Sequence, residues 1–221
     1  MAIYAMFLTN LYGFKLKKIG SHTQKKIIRL EYAKRLLSKL NIEVEIKNGH
    51  NLPKEKNGQF LLVSNHRSII DPLLIEIVLE KTDIFGFWIA KQELRKSLFF
   101  GTFVRNGGSI ALNRESKSMS DFFKSIKSNV KNGDSIFIFP EGTRNKTQSE
   151  LSSFKGGTQI IALKNRLPIL PIYIRTNADM ALQSVLKDNS KSVKIQIEIG
   201  EIIDYKTKAG VEEVYRDRFK L

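Results

Sequence analysis

The sequence predicts an α/β protein, a mixed β-sheet flanked by helices, preceded by an N-terminal helical hairpin. Three observations carry this. Short apolar runs closed by polar turns alternate with amphipathic segments along most of the chain. In 193–199, Val193, Ile195, Ile197 and Ile199 alternate with Lys194, Gln196 and Glu198, as a strand wetted on one side should. In 116–131, Met119, Phe122, Phe123, Ile126 and Val130 fall on one helical face, and Gly133 stands just past the end.

The first fourteen residues are apolar apart from Thr9 and Asn10, and Lys15, Lys17 and Lys18 follow them. Residues 24–40 set Ile27, Ile28, Leu30, Leu36, Leu37 and Leu40 among Lys25, Lys26, Arg29, Lys34, Arg35 and Lys39, the pattern of a basic amphipathic helix. The first stretch is shorter than the roughly 20 residues a bilayer-spanning helix needs. It also lacks the charged start and cleavage pattern of a signal peptide. Both helices are therefore expected to interact with an anionic membrane surface, lysine and arginine toward the headgroups. A hairpin packed on the rest of the protein is the alternative. Residues 1–40 are expected to form this two-helix membrane-association motif and 41–221 the α/β domain.

Within the α/β domain, strands are expected at 42–46, 60–64, 85–90, 109–112, 135–139, 169–174 and 193–199. Helices are expected at 72–80, 91–99, 116–131, 153–165 and 206–219, with polar loops at 54–59 and 187–192. The net charge of +15 predicts attraction to polyanions, whether anionic lipid, an acidic carrier protein or nucleic acid. No RNA-recognition or helix-turn-helix pattern is present, so nucleic acid is not an expected partner. With no cysteine there are no disulfides and no cysteine-based zinc site, which agrees with a reducing compartment. His22 and His50 sit in polar surroundings and read as surface residues.

Asn65-His66-Arg67-Ser68-Ile69-Ile70-Asp71 places a histidine and an aspartate five positions apart, where a strand hands over to a helix. Asp71 is expected at the N-cap and Pro72 as the first helical residue. Folded back, the turn lets the Asp71 carboxylate meet one imidazole nitrogen and leaves the other free to take a proton. Taken alone, the pair also fits a loop histidine beside a helix cap. A second strand, 135–139, runs into Pro140-Glu141-Gly142-Thr143-Arg144, and two such strand ends can converge at one edge of a sheet.

These blocks resemble those of the glycerolipid acyltransferase family, whose members include the lysophosphatidic acid acyltransferases. Asn65 to Asp71 is similar to the family's Asn-His-x-Ser-x-x-Asp block, and Phe139 to Arg144 to its Phe-Pro-Glu-Gly-Thr-Arg block. Ala90-Lys91-Gln92-Glu93-Leu94, Gly107 to Arg114, Phe154-Lys155-Gly156-Gly157 and Leu167 to Ile172 resemble further blocks in the same order. One departure is Asn113, where members often carry aspartate before the arginine.

The resemblance implies transfer of a fatty acyl chain from a thioester, acyl-CoA or an acyl carrier protein, to the sn-2 hydroxyl of 1-acylglycerol-3-phosphate. The product is phosphatidic acid, and neither cofactor nor metal is expected. His66 is the expected base and Asp71 its orienting carboxylate. Arg144, Arg114 and Lys91 are expected to bind the phosphate of the lysophospholipid acceptor. Glu141 is expected to accept a hydrogen bond from a glycerol hydroxyl or to anchor Arg144, and Gly142 to turn the backbone beside the ligand. Backbone N–H groups near the helix starting at Pro72, or around Gly142 and Thr143, are expected to supply donors for the oxyanion. The expected location is the cytoplasmic face of a membrane. The alternatives are the same chemistry on another acceptor, such as glycerol-3-phosphate, another lysophospholipid or an acyl amino-acid lipid, and a non-catalytic basic binding module.

Overall fold

In the computed structural model, which describes residues 1–54, 58–113 and 119–221, seven strands form one mixed sheet. They are β1 (Ile42–Lys47), β2 (Leu61–Ser64), β3 (Gly86–Lys91), β4 (Ser109–Leu112), β5 (Ser135–Ile138), β6 (Ile169–Ile174) and β7 (Val193–Ile199), in the order β1-β7-β6-β2-β5-β3-β4. Only the β6–β7 pair is antiparallel among the described residues. Central β2 is buried along its whole length, as its unbroken apolar run requires. It pairs in parallel with β5, Leu61 opposite Ile136 and Val63 opposite Ile138. Both strands therefore deliver their following residues to the same sheet edge, and so do β3 and β4.

Two apolar layers sandwich the sheet. Helices α1 (Ala2–Lys17), α2 (His22–Lys39), α3 (Asp71–Val78) and α7 (Ala178–Lys187) contribute to one. Helices α5 (Ser120–Lys131), α6 (Gly157–Asn165) and α8 (Val211–Phe219) contribute to the other. Helix α4 (Gly101–Asn106) lies against α1, where the Asn106 amide donates to the Gly13 carbonyl at 3.0 Å. The helix expected at 91–99 is a short 3-10 turn, Gln92–Lys96, and α4 and α7 were not expected. The start expected at 116 lies outside the described residues. Asp71 is the first helical residue of α3, with Ile70 at the N-cap, because its carboxylate turns back into the preceding loop.

The N-terminal helices are seated on the α/β domain. On α1, Leu8, Tyr12 and Leu16 are buried while Ile3, Phe7 and Phe14 face outward. The basic side of α2 is not wholly turned toward solvent as expected. Arg29 is 2% exposed and donates through Nε to Glu76 of α3 at 3.0 Å, and through Nη1 to the carbonyls of Gly86 (2.8 Å) and Gly107 (3.1 Å). Lys34 pairs with Glu80, and Lys26 donates to the Thr82 carbonyl. His22, expected as a surface residue, bonds through Nδ1 to the buried Asp134 at 2.6 Å, and burial raises the pKa of that carboxyl. Among the described residues no helix is long and apolar enough to cross a membrane.

Gly13 marks the closest approach of α1 to α4. Alanine in place of glycine inside a free helix stabilises by about 1 kcal/mol. Here an added Cβ would lie 2.7 Å from the Phe103 nitrogen and 2.9 Å from the Thr102 carbonyl carbon, both rigid backbone. Gly13→Ala is expected to destabilise by about 1–3 kcal/mol instead. Denaturant unfolding reads the sign directly, and a gain in stability would mean that α1 is not packed on α4.

Candidate active site

The turn after β2 is shaped by one carboxylate oxygen. Asp71 is completely buried, and its Oδ2 accepts the backbone N–H groups of Arg67 and Ser68, each at 2.7 Å. The same oxygen meets His66 Nδ1 at 2.8 Å. An oxygen already accepting two N–H groups acts as acceptor toward the ring as well, so Nδ1 carries a proton and, in the neutral ring, Nε2 keeps its lone pair. Ser68 is itself fully buried.

The neighbouring strand end holds the histidine backbone from both sides. The His66 N–H donates to Glu141 Oε1 at 2.6 Å, and the His66 carbonyl accepts from the Asn145 N–H at 2.6 Å. Glu141 Oε2 accepts from the Ser152 N–H at 2.8 Å. Glu141 therefore corrects the expectation made for it: only 2% exposed, it joins three backbone segments instead of meeting a glycerol hydroxyl or Arg144. Burial raises its carboxyl pKa against the opposing pull of these N–H donors. Gly142 has φ +72°, and its N–H closes on the Phe139 carbonyl at 2.9 Å, the tight reversal that favours glycine.

Asn65 fixes the turn to the sheet. Its side chain exchanges two hydrogen bonds with the Ile174 backbone, Nδ2 to the carbonyl at 3.0 Å and the Ile174 N–H to Oδ1 at 2.8 Å. Its N–H donates to the Tyr215 hydroxyl at 3.2 Å, which donates onward to the Ile172 carbonyl at 2.7 Å. Tyr215 is wholly buried, and desolvation pushes its pKa well up, so it stays a neutral donor.

His66 opens onto a cleft of about 980 Å³ that also contacts Lys91, Gly142, Thr143 and Arg144. The strand ends bring these together, and Lys146 and Lys155 add further cations. Most of the lining is apolar, including Ile69, Leu73, Phe103 and Phe122. Arg114 lies outside the described residues. Backbone donors at the start of α3 are already engaged, since the Leu73 and Leu74 N–H groups bond the Ile70 carbonyl. Among the described residues no group of three or more His, Asp or Glu side chains could hold a metal ion.

The structure adds Asn145 and Tyr215 to the site and gives Phe139 of the second block a contact there, its ring stacked on His66 with centroids 4.1 Å apart. Asn145 directly follows Arg144, but a backbone donor leaves no mark in side-chain chemistry. Tyr215 is 150 residues from its partner Asn65, and its signal is only a lone tyrosine on a helix.

Because Glu141 titrates higher in the folded protein than in the unfolded chain, its contribution is complete below the ordinary glutamate pKa of about 4.3 and diminishes as pH rises through the raised value. The unfolding free energy of the native protein minus that of Glu141→Gln is expected to fall across this window. Urea titrations at a series of pH values give the difference, and a difference that rises with pH would contradict the assignment.

Residues 43–175, more than half of the chain, match the family model described as Acyltransferase. The 1-acyl-sn-glycerol-3-phosphate acyltransferase of Helicobacter pylori is 36% identical over 126 residues, a match covering 54% of this chain and 52% of that protein. The Borreliella burgdorferi protein of the same name is 27% identical over 183 residues, covering 80% and 70%. The chain thus spans about half the length of the Helicobacter relative it matches. The crystal structure of the 1-acyl-sn-glycerophosphate acyltransferase PlsC from Thermotoga maritima shares the fold, with a TM-score of 0.66 at 24% identity over 100% of this chain and 94% of that one. With a parallel sheet that brings the two motif-bearing strand ends together and a family model matched across both, the chain belongs to the acyltransferase family.

Proposed function

We propose that this protein transfers a fatty acyl chain from a thioester donor to the sn-2 hydroxyl of 1-acylglycerol-3-phosphate, giving phosphatidic acid. The observation that carries the reading is the His66–Asp71 pair, 2.8 Å apart, facing an apolar cleft that also holds Lys91 and Arg144. The names of the two bacterial relatives agree with it.

Nε2 of His66 takes the hydroxyl proton as the oxygen attacks the thioester carbonyl, and Asp71 stabilises the imidazolium that forms. Collapse of the tetrahedral intermediate breaks the C–S bond, and the imidazolium returns its proton to the departing thiolate. The acceptor phosphate is held by Arg144 and Lys91, with Arg114 added by the family resemblance, while the apolar wall receives acyl chain. Gly142 and Thr143 set the turn that presents Arg144. Acyl-CoA or an acyl carrier protein serves as donor, the latter suited by the +15 charge, and no cofactor is required.

The enzyme works from the cytoplasmic surface of a membrane. Support comes from the outward apolar residues of α1, Ile3, Phe7 and Phe14, next to Leu98, which is 90% exposed and whose carbonyl accepts from Asn10 of α1. Such side chains suit the headgroup boundary of an anionic leaflet, with the surrounding lysines on its phosphates.

His66→Ala and Asp71→Asn are each expected to lower acyl transfer to lysophosphatidic acid by about 10²–10⁴-fold while the fold persists. Radiolabelled donors, offered as acyl-CoA and as acyl carrier protein, report it; folded variants with full activity would refute the mechanism. Arg144→Ala is expected to raise KM for lysophosphatidic acid and leave a phosphate-free monoacylglycerol unaffected. Equal effects on both acceptors would remove Arg144 from the phosphate site.

A further inference from the structure

Behind the imidazole lie two stacked aromatic side chains ending on a buried ion pair. Phe139 stacks on His66 with planes 12° apart, and Trp88 stacks on Phe139 with centroids 4.8 Å apart and planes 21° apart. The Trp88 indole Nε1–H donates to Glu76 Oε1 at 3.2 Å. Glu76 is 6% exposed and paired with Arg29.

Stability alone does not account for this pair. A buried ion pair sacrifices the hydration of both charges, and apolar residues of similar volume usually serve a helix contact as well or better. Lys34 of α2 and Glu80, two residues past the end of α3, already tie these elements at the surface. What an apolar residue at 76 cannot do is accept the indole proton. An indole has one N–H, so that bond fixes the rotation of the Trp88 ring, and with it the surface against which Phe139 lies. The Asp71 bond holds His66 at a single atom, Nδ1, and leaves the ring plane free to rock. Contact with the Phe139 face takes that freedom away.

We propose that Glu76 is a positioning residue for the acyl transfer proposed above: held by Arg29, it fixes Trp88, and through Trp88 and Phe139 it fixes the plane of the His66 imidazole. This rests on the acyltransferase reading and adds a consequence to it. Helix α2, which carries Arg29 and reaches the cleft wall through Arg29, Tyr32 and Leu36, thereby takes part in setting the geometry of the reaction.

The test uses the full chain with two variants that break the same link differently. Arg29→Met/Glu76→Leu replaces the pair with apolar volume and also removes the donor to the Gly86 and Gly107 carbonyls, whereas Trp88→Phe keeps a ring, loses only its N–H and so isolates the link. Each is expected to lower kcat by about 10–100-fold, with KM for donor and acceptor within about twofold of the native values. Combining all three substitutions is expected to lower kcat no further than Arg29→Met/Glu76→Leu does, since the link through the indole N–H is already broken there. Trp88 is the single tryptophan, so acrylamide quenching of its fluorescence reports the loosened ring in Arg29→Met/Glu76→Leu without reference to activity. Lys34→Ala, on the same helix pair, is expected to change neither readout.

Native kcat in folded Trp88→Phe would overturn the proposal, as would unaltered Trp88 quenching in the double variant. A loss residing in the donor KM would mean that these side chains only line the path of the acyl chain. A native protein that turns over neither donor would instead defeat the acyltransferase reading itself.

Discussion

The backbone of His66 is clamped between two adjacent strand ends, its N–H given to Glu141 and its carbonyl to Asn145. The chemistry proposed for this protein depends on that clamp, because it holds the backbone of the residue whose imidazole meets the Asp71 carboxylate. The clamp needs β2 and β5 to be parallel neighbours, so that both loops leave from the same edge. It also needs a carboxylate willing to be buried. Glu141 accepts that cost, visible in its raised pKa, and recovers part of it through two backbone N–H donors.

Asp71 works by the same logic from within its own turn. One oxygen accepting two backbone N–H groups and facing the imidazole is a rigid arrangement, and the backbone donors leave it no proton to offer the ring. Placement at the first residue of α3 adds the positive end of the helix dipole. The sequence spacing of five is therefore a folding constraint as much as a chemical one: the aspartate builds the turn that presents the histidine.

Much of this was legible from residue order. All seven strands lie within one residue of their expected limits at both ends, because each is a short apolar run closed by a polar turn. The His66–Asp71 contact followed from motif spacing, and the convergence with 139–144 from two strand ends of like character. What stayed hidden depends on distant partners or on backbone. Helix α7 carries Ala178, Ala181, Leu182 and Val185 on its buried face, a legible pattern overlooked because Ala and Ser dilute its apolar signal. Glu141 reads in sequence as a ligand residue, since nothing local reveals that the Ser152 and His66 N–H groups will claim both its oxygens. Arg29 reads as one more surface cation on a basic helix; its partners Glu76, Gly86 and Gly107 lie 47, 57 and 78 residues away.

The buried Arg29 also changes how the N-terminal helices are understood. They form part of one layer of the sandwich, sharing Leu8, Tyr12, Tyr32 and Leu36 with the main apolar core, while α1 keeps an apolar ridge outside. A segment can thus belong to the fold and still offer a surface to lipid. The central claim, a protonated Nδ1 held by Asp71 with Nε2 ready to accept a proton, is tested most directly by nitrogen NMR of 15N-histidine-labelled protein at neutral pH. Three histidines make assignment by single replacement straightforward. The structure predicts the Nδ1–H tautomer for His66, abolished in Asp71→Asn; the Nε2–H tautomer, or a ring averaging like free imidazole, would contradict it.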